Sequence, residues 1–203
     1  MDGGFRPRVR TALLLLAGLG AAIVASPSPG SGEAAAPGAM ESPEIVFASI
    51  ATVLRHPRCQ NCHTFTDFPR QGDSRLPHAM SVRRGPDNQG RAGMECSSCH
   101  QDANQADSGV PGAPHWGLAP LSMGWEGLSD HQLAETLKDP AKNGGRDLEA
   151  LYEHMAHDRL VAWAWNPGGD RQPPPISHVE FAHQVRQWID SGAVSPPEKK
   201  EAP

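Results

Sequence analysis

Residues 58–65 read RCQNCHTF and residues 95–102 read ECSSCHQD, and these two short stretches dominate the architecture expected of the chain. Each contains the pattern C-x-x-C-H, so the four cysteines of this 203-residue protein form two pairs, and a histidine follows each pair directly. Two thiols three residues apart lie on one side of a helical turn. The histidine that follows lies beside them, where its imidazole can bind a metal ion.

C-x-x-C-H is the attachment sequence of c-type haem. Both thiols of a pair can reach the vinyl groups of one porphyrin, and the next residue then lies under the ring as an iron ligand. The sequence therefore predicts two covalently attached haem c groups, whose attachment cysteines and proximal histidines are Cys59, Cys62, His63, Cys96, Cys99 and His100.

Other uses of the cysteines remain open. Two C-x-x-C pairs can hold a structural zinc ion, form two disulfides, or act as redox-active thiols. None of these uses requires histidine directly after both pairs. Because only ten of the 203 residues are histidine, two such placements are improbable by chance, and haem is the favoured interpretation.

The ligand on the far side of each iron is less well defined. His78 lies between the two motifs and is the foremost candidate, followed by His56 and Met123. His56 is too close to the first motif to cover its own ring but could reach the neighbouring haem, and the alternative is a residue at the C-terminal end of a helix that faces water. Met123 can instead be a gap-filling core residue. Two histidines keep the potential of a haem low, whereas histidine with methionine raises it.

The composition indicates that side chains alone supply little of the core. Only 5% of the residues are aromatic, while 21 are glycine and 20 are proline. This composition excludes a coiled coil, a collagen and a helical membrane bundle. The net charge of −5 argues against a nucleic-acid partner, which requires a basic face.

The expected fold class is all-α, a small cytochrome c-like domain with few helices. A first helix starts at Ser42-Pro43-Glu44 and ends before Pro57. Residues 57–128 have no sustained period, and we expect this loop-rich segment to wrap around both haems.

Three C-terminal helices are expected to close over the haems. Their start signals are Ser129, Asp147 and Ser177. Asn143-Gly144-Gly145 is expected to stop the first of them, and Gly192 the last. His154 flanks the apolar face of the second.

The N-terminus has the form of a secretory signal peptide. Three arginines precede a short apolar run, and small residues and prolines follow it. The expected organisation is a signal peptide at 1–25, a flexible linker at 26–40, a dihaem cytochrome c domain at 41–193 and a disordered tail at 194–203. An uncleaved membrane anchor is the alternative for the first segment.

Longer stretches resemble a known family. They are HPRCQNCH, RGPDNQGRAGMECSSCH, SGVPGAPHW, APLSMGWEGLSD, WAWNPG and SHVEFAHQVRQWIDSGA. Over roughly residues 44–193 the chain resembles exported bacterial dihaem proteins labelled as a cytochrome subunit of isoquinoline 1-oxidoreductase. The resemblance implies a c-type cytochrome that takes electrons from a molybdenum hydroxylase.

The function expected is that of a periplasmic dihaem c-type cytochrome. It would transfer electrons between a dehydrogenase or hydroxylase partner and the respiratory chain, as an electron-transfer subunit rather than as an enzyme. The alternative is a small haem enzyme or sensor with one open iron, peroxidase-like or gas-binding. No nucleic acid is expected as partner, and a membrane only if the signal segment stays as an anchor.

Overall fold

Six α-helices make up most of the regular structure in the computed structural model of the chain, which describes residues 42–198. They are α1 Pro43–Leu54, α2 Pro57–Gln60, α3 Asp130–Lys138, α4 Leu148–His157, α5 Arg159–Trp163 and α6 His178–Asp190. No helix within 42–198 is long and apolar enough to cross a membrane. The signal peptide expected at 1–25 and the linker expected at 26–40 lie outside the described residues.

The apolar core is built by helices that are distant in sequence. The first helix, α1, packs against α6 and α3, and α4 packs against α6 and α5. At the centre the rings of Phe47 and Trp188 lie 5.1 Å apart, and both side chains are fully buried. The expected N-terminal helix is therefore one wall of the same core as the last helix.

The helix starts follow the capping signals in the sequence. Ser129 forms a complete capping box with Gln132, and the side chains of Asp147 and Ser177 accept hydrogen bonds from the third residue of their helices. Pro43 occupies the first turn of α1 as expected. The first helix ends at Leu54, and Pro57 begins the short helix α2.

Two expectations about the C-terminal helices were wrong. Helix α3 ends at Lys138, before Asn143-Gly144-Gly145, because Asp139 precedes Pro140 and adopts an extended conformation. The buried Asn143 amide instead donates hydrogen bonds to the carbonyls of Leu137 (2.7 Å) and Arg146 (2.9 Å). In addition, the part of the chain after Ser129 has four helices among its described residues, since Asp158 caps the short helix α5.

The middle of the chain, residues 57–128, has more regular structure than expected. Besides α2 it has two antiparallel pairs of two-residue strands, β1 Arg70–Gln71 with β2 Leu76–Pro77, and β3 Gly90–Arg91 with β4 Met94–Glu95. Single 3₁₀ turns lie at Ala79–Ser81, Cys96–Ser98 and Leu121–Met123. Apart from these elements the middle segment is irregular, as its composition predicts.

A buried arginine holds this segment together. The Arg84 guanidinium donates hydrogen bonds to the carbonyls of Thr64 (2.9 Å), Thr66 (3.2 Å) and Ala119, and to the side chain of Asn88 (2.8 Å). These partners lie on three different stretches of the loop. Polar contacts of this kind replace the apolar packing that the segment lacks.

The tail boundary at residue 193 also needs correction. The carbonyl of Val194 accepts a hydrogen bond from the Trp188 indole (2.9 Å), and Pro196 is buried with its carbonyl 2.9 Å from His131 Nδ1. The ordered part therefore continues at least to Pro196. Residues 199–203 of the expected tail lie outside the described range.

Replacing Phe47 with alanine should destabilise the protein strongly. Loss of a fully buried phenylalanine typically costs about 3–5 kcal/mol, because the contacts are lost and a cavity remains. Chemical denaturation of the purified protein measures the change. Val179→Ala, at a position that is 82% exposed, is the control and should have little effect. Equal effects of the two substitutions would contradict this description of the core.

Candidate functional site

The two C-x-x-C-H motifs adopt the same local structure. The carbonyl of Cys59 accepts hydrogen bonds from the backbone N–H groups of Cys62 (3.1 Å) and His63 (3.0 Å). The carbonyl of Cys96 does the same for Cys99 (3.2 Å) and His100 (2.9 Å). Each motif is thus one helical turn, which brings its two thiols to the same side.

Both motif histidines are fixed by a hydrogen bond to a backbone carbonyl. Nδ1 of His63 lies 2.9 Å from the carbonyl oxygen of Met123, and Nδ1 of His100 lies 2.7 Å from that of Pro111. A carbonyl can only accept, so Nδ1 carries the proton and Nε2 keeps a free lone pair. This is the arrangement that proteins use to orient a metal-bound histidine.

A tryptophan stacks on each of these imidazoles. The rings of His63 and Trp125 are 3.5 Å apart and 10° from parallel, and those of His100 and Trp116 are 4.5 Å apart and 9° from parallel. Burial lowers the pKa of His63 to about 3, although the Met123 carbonyl opposes this shift. Burial also lowers the pKa of His100. Both imidazoles are therefore neutral near pH 7, as ligation requires.

The first motif opens into a cavity of about 270 Å³, here called the first-motif cavity and defined by Cys59, Cys62 and His63. Its walls come from the helical core and are largely apolar and buried, including Leu54, Met123, Trp125, Leu151, Met155 and Phe181. An apolar wall beside two thiols and an oriented imidazole suits a flat hydrophobic cofactor.

The second motif borders a larger cavity of about 740 Å³, here called the second-motif cavity and defined by Cys96, Cys99 and His100. Three large apolar side chains on its wall are exposed, Leu76 (60%), Met80 (72%) and Met94 (37%). Apolar groups gathered around one cavity mark a surface that another apolar body covers. A porphyrin ring attached to Cys96 and Cys99 would cover them.

The two cavities share a wall. It consists of Arg58, Cys62, Trp116, Gly117, Leu118 and Trp163. Burial, and to a smaller extent the nearby Cys96 thiol of the other motif, raise the pKa of the Cys62 thiol to about 11. Groups attached to the two motifs would therefore lie side by side.

Buried donors without an acceptor provide a test of whether a haem fits. Nε of Arg58 and Nε1 of Trp125 are both buried and have no hydrogen-bond partner among the described residues. Both side chains line the first-motif cavity. Buried donors normally find partners, and haem carries two propionate carboxylates that can accept these bonds. The donor set therefore fits this cofactor.

The two thiols of the first motif are poorly suited to act as free nucleophiles. Burial raises the pKa of Cys59 to about 12, and the adjacent Cys62 contributes to the same shift. Thiols with such values stay protonated at neutral pH, whereas redox-active cysteines require a depressed pKa. None of the four cysteines forms a disulfide in the structure. No group of three or more metal-binding side chains of the His, Cys, Asp or Glu type occurs within 42–198.

The three candidates for a distal ligand occupy different environments. His78 lines the second-motif cavity, and its ring centroid lies 6.0 Å from that of His100. Met123 lines the first-motif cavity, but its carbonyl binds His63, so its backbone lies on the proximal side.

The geometry disagrees with the expectation for His56. This histidine lies outside the described lining of both cavities, since its Nδ1 accepts a hydrogen bond from the Arg58 N–H (3.3 Å) at the start of α2. It acts as a helix cap.

Several important residues were not predicted from the sequence. Arg84 and Glu126 have no motif around them, and Arg58 precedes the first motif without being part of it. Their roles depend on contacts across many residues. The stacked Trp116 and Trp125 were expected only as general packing against the rings. A signal for His154 was present, since an aspartate, Asp158, follows it four residues later, directly after the end of α4.

No family model, curated protein or solved structure is similar enough to this chain to count as a match. The resemblance described above therefore remains an expectation.

Glu126 fixes the loop that follows His63. Its carboxylate accepts hydrogen bonds from the Thr64 hydroxyl (2.8 Å), the Phe65 N–H (2.7 Å) and the Arg75 guanidinium (2.6 Å). Burial alone would raise the pKa of Glu126, but these bonds outweigh it and hold the pKa below the ordinary 4.5.

We expect Glu126→Gln to lower the free energy of unfolding at pH 7 by about 1–3 kcal/mol, because bonds to a charged acceptor are lost. In the wild type this contribution is present above pH 4.5 and is lost as the pH falls through the lowered pKa. Urea denaturation at pH 7 and at acid pH measures both effects.

The control for Glu126 is Glu153→Gln on the exposed face of α4. It should leave stability unchanged at each pH. If the Glu126→Gln variant kept the same acid sensitivity as the wild type, Glu126 would not be its source.

Proposed function

We propose that the chain is a dihaem c-type cytochrome that carries electrons and is exported to the periplasm. The observation that carries this proposal is the repeated arrangement of the two motifs. In each, one helical turn aligns two thiols, and a backbone carbonyl holds the histidine with Nε2 free. A zinc site made of the four cysteines, or a pair of disulfides, would not use either histidine and so would not need this hydrogen bond.

The residues of each site would have distinct tasks. Cys59 and Cys62 would hold one haem, and Cys96 and Cys99 the other, with His63 and His100 as proximal ligands. A bound haem supplies an iron that accepts and releases one electron. The protein orients the imidazoles, excludes water with apolar walls and offers Arg58 and Trp125 as donors to carboxylates.

His78 is the sixth ligand we propose for the second iron. His78 and His100 both line the second-motif cavity, so the two imidazoles would hold one iron between them. The rings of His78 and His100 are 6.0 Å apart and their planes make an angle of 73°. Nδ1 of His78 lies 2.7 Å from the Ala79 carbonyl, which leaves its Nε2 free.

The shared wall supports electron transfer between the two sites. Cys62 borders both cavities, so the ring attached to it would lie directly beside the ring of the second motif. The stacked pair His100 and Trp116 also meets Trp163 edge to face at 4.7 Å. Electrons would then enter at one haem and leave at the other.

The partner remains a proposal that rests on the family resemblance. It is a redox protein, of the molybdenum hydroxylase type, that delivers electrons to this cytochrome for the respiratory chain. The net charge of −5 favours a basic docking surface on that partner and an association that weakens with salt.

Haem content tests the central claim. The protein produced with a c-type maturation system should carry two haems per chain by pyridine haemochrome. A Cys59→Ala/Cys62→Ala variant and a Cys96→Ala/Cys99→Ala variant should each retain one, because the motifs bind independently. A wild-type chain without covalent haem would refute the proposal and favour a structural zinc site or two disulfides as the role of the cysteines.

Carbon monoxide tests the ligand state. The reduced wild type should not bind it, whereas reduced His78→Ala should bind one molecule per chain at the iron that has lost its ligand. His183→Ala on α6, a histidine that lines neither cavity, is the matched control and should behave as wild type. Binding by the wild type itself would favour the enzyme or sensor with an open iron.

A further inference from the structure

We infer that His154 is the second axial ligand of the haem at the first motif and that Asp158 positions its imidazole. This inference rests on the proposed function and deepens it, because it completes the coordination of the first iron. Neither residue belongs to a C-x-x-C-H motif.

The location of His154 is the first observation. It lies on α4, and its neighbours on the same helix face, Leu151 and Met155, line the first-motif cavity together with it and with His63. Positions i, i+3 and i+4 of a helix share one face, so this face of α4 forms a wall of the cavity. His154 brings an imidazole to a wall that is otherwise apolar.

The two ring nitrogens of His154 have different environments. Nδ1 lies 3.5 Å from Oδ2 of Asp158, and Nε2 has no hydrogen-bond partner within residues 42–198. The same pattern occurs in His63, His100 and His78. In each of them Nδ1 lies beside a backbone carbonyl oxygen and Nε2 has no hydrogen-bond partner among the described residues. The His154 side chain is 29% exposed, and its Nε2 is left available for a ligand in the first-motif cavity that the residue lines.

Asp158 is itself held in place. Its Oδ1 accepts hydrogen bonds from the N–H groups of Leu160 (2.8 Å) and Val161 (3.2 Å) and so caps α5. The carboxylate therefore cannot turn freely, and its second oxygen stays near His154. A carboxylate behind a histidine is a common way to orient a metal ligand and to raise its basicity.

The other candidates at this cavity are less suitable. Met123 lies on the proximal side, because its carbonyl holds His63. Met155 is 5% exposed and belongs to the apolar core, where a thioether is stable without further bonds. His115 lines the cavity but is exposed, so water can satisfy its ring.

His154→Ala is the decisive variant. It should keep two haems per chain, turn one of them from low spin to high spin in the electron paramagnetic resonance spectrum, and raise carbon monoxide binding by the reduced protein from none to one per chain. Added imidazole should restore the low-spin signal. His157→Ala, an exposed histidine on the same helix, is the matched control and should leave both haems low-spin.

A second variant covers the case in which the alanine protein does not mature. His154→Met should give one haem the methionine charge-transfer band and a more positive potential. Asp158→Asn keeps a side chain that caps helices but removes the charge, so it should raise the potential of one haem while both remain low-spin.

The outcomes separate this inference from the proposed function. Two haems that both stay low-spin in His154→Ala, or an unchanged spectrum in His154→Met, would overturn the ligand assignment and leave the dihaem cytochrome intact. A wild type with one open iron would also overturn it. A wild type without haem would overturn both.

Discussion

The hydrogen bond between each motif histidine and a backbone carbonyl is the interaction on which the rest of the structure depends. The bond from His63 to the Met123 carbonyl joins the turn after α2 to a segment 60 residues later, and His100 is joined to Pro111 in the same way. Each bond fixes the tautomer of a ring that would bind iron and closes a loop. Gly112 follows the second acceptor, and a Cβ there would lie 2.3 Å from the Gln101 carbonyl oxygen, so the backbone can approach this closely only at a glycine.

Two kinds of stabilisation meet at the candidate site. Helices α1, α3, α4 and α6 bury an ordinary apolar core, which forms one side of the first-motif cavity. The segment from 57 to 128 is held mainly by polar contacts, with Arg84 and Glu126 as its centres. Such a network fixes one loop conformation but buries little apolar surface. The rings proposed for the two cavities would supply that missing surface.

The sequence predicted those features that depend on local chemistry. Ser129, Asp147 and Ser177 start helices because their side chains bond to the first turn, and this can be read within four residues. The motifs likewise point to His63 and His100 as the proposed proximal ligands without any tertiary information. What could not be predicted depends on contacts between distant segments. The positions of His56 and Met123 in the sequence made both reasonable candidates for iron ligands. In the structure His56 instead caps helix α2 by accepting a hydrogen bond from the Arg58 N–H, and the Met123 carbonyl binds His63.

The two sites differ most in what surrounds them, and this has consequences for electron flow. The apolar walls of the first-motif cavity are largely buried core residues, whereas Leu76, Met80 and Met94 on the wall of the second are exposed. If both irons have two histidine ligands, ligand identity cannot separate their potentials, and burial remains as the main variable. A poorly solvated iron disfavours the additional positive charge of its oxidised state. The haem at the first motif would then have the more positive potential. Electrons that enter at the exposed second site would pass across the wall that the two cavities share, which includes Cys62, toward the haem beside the core.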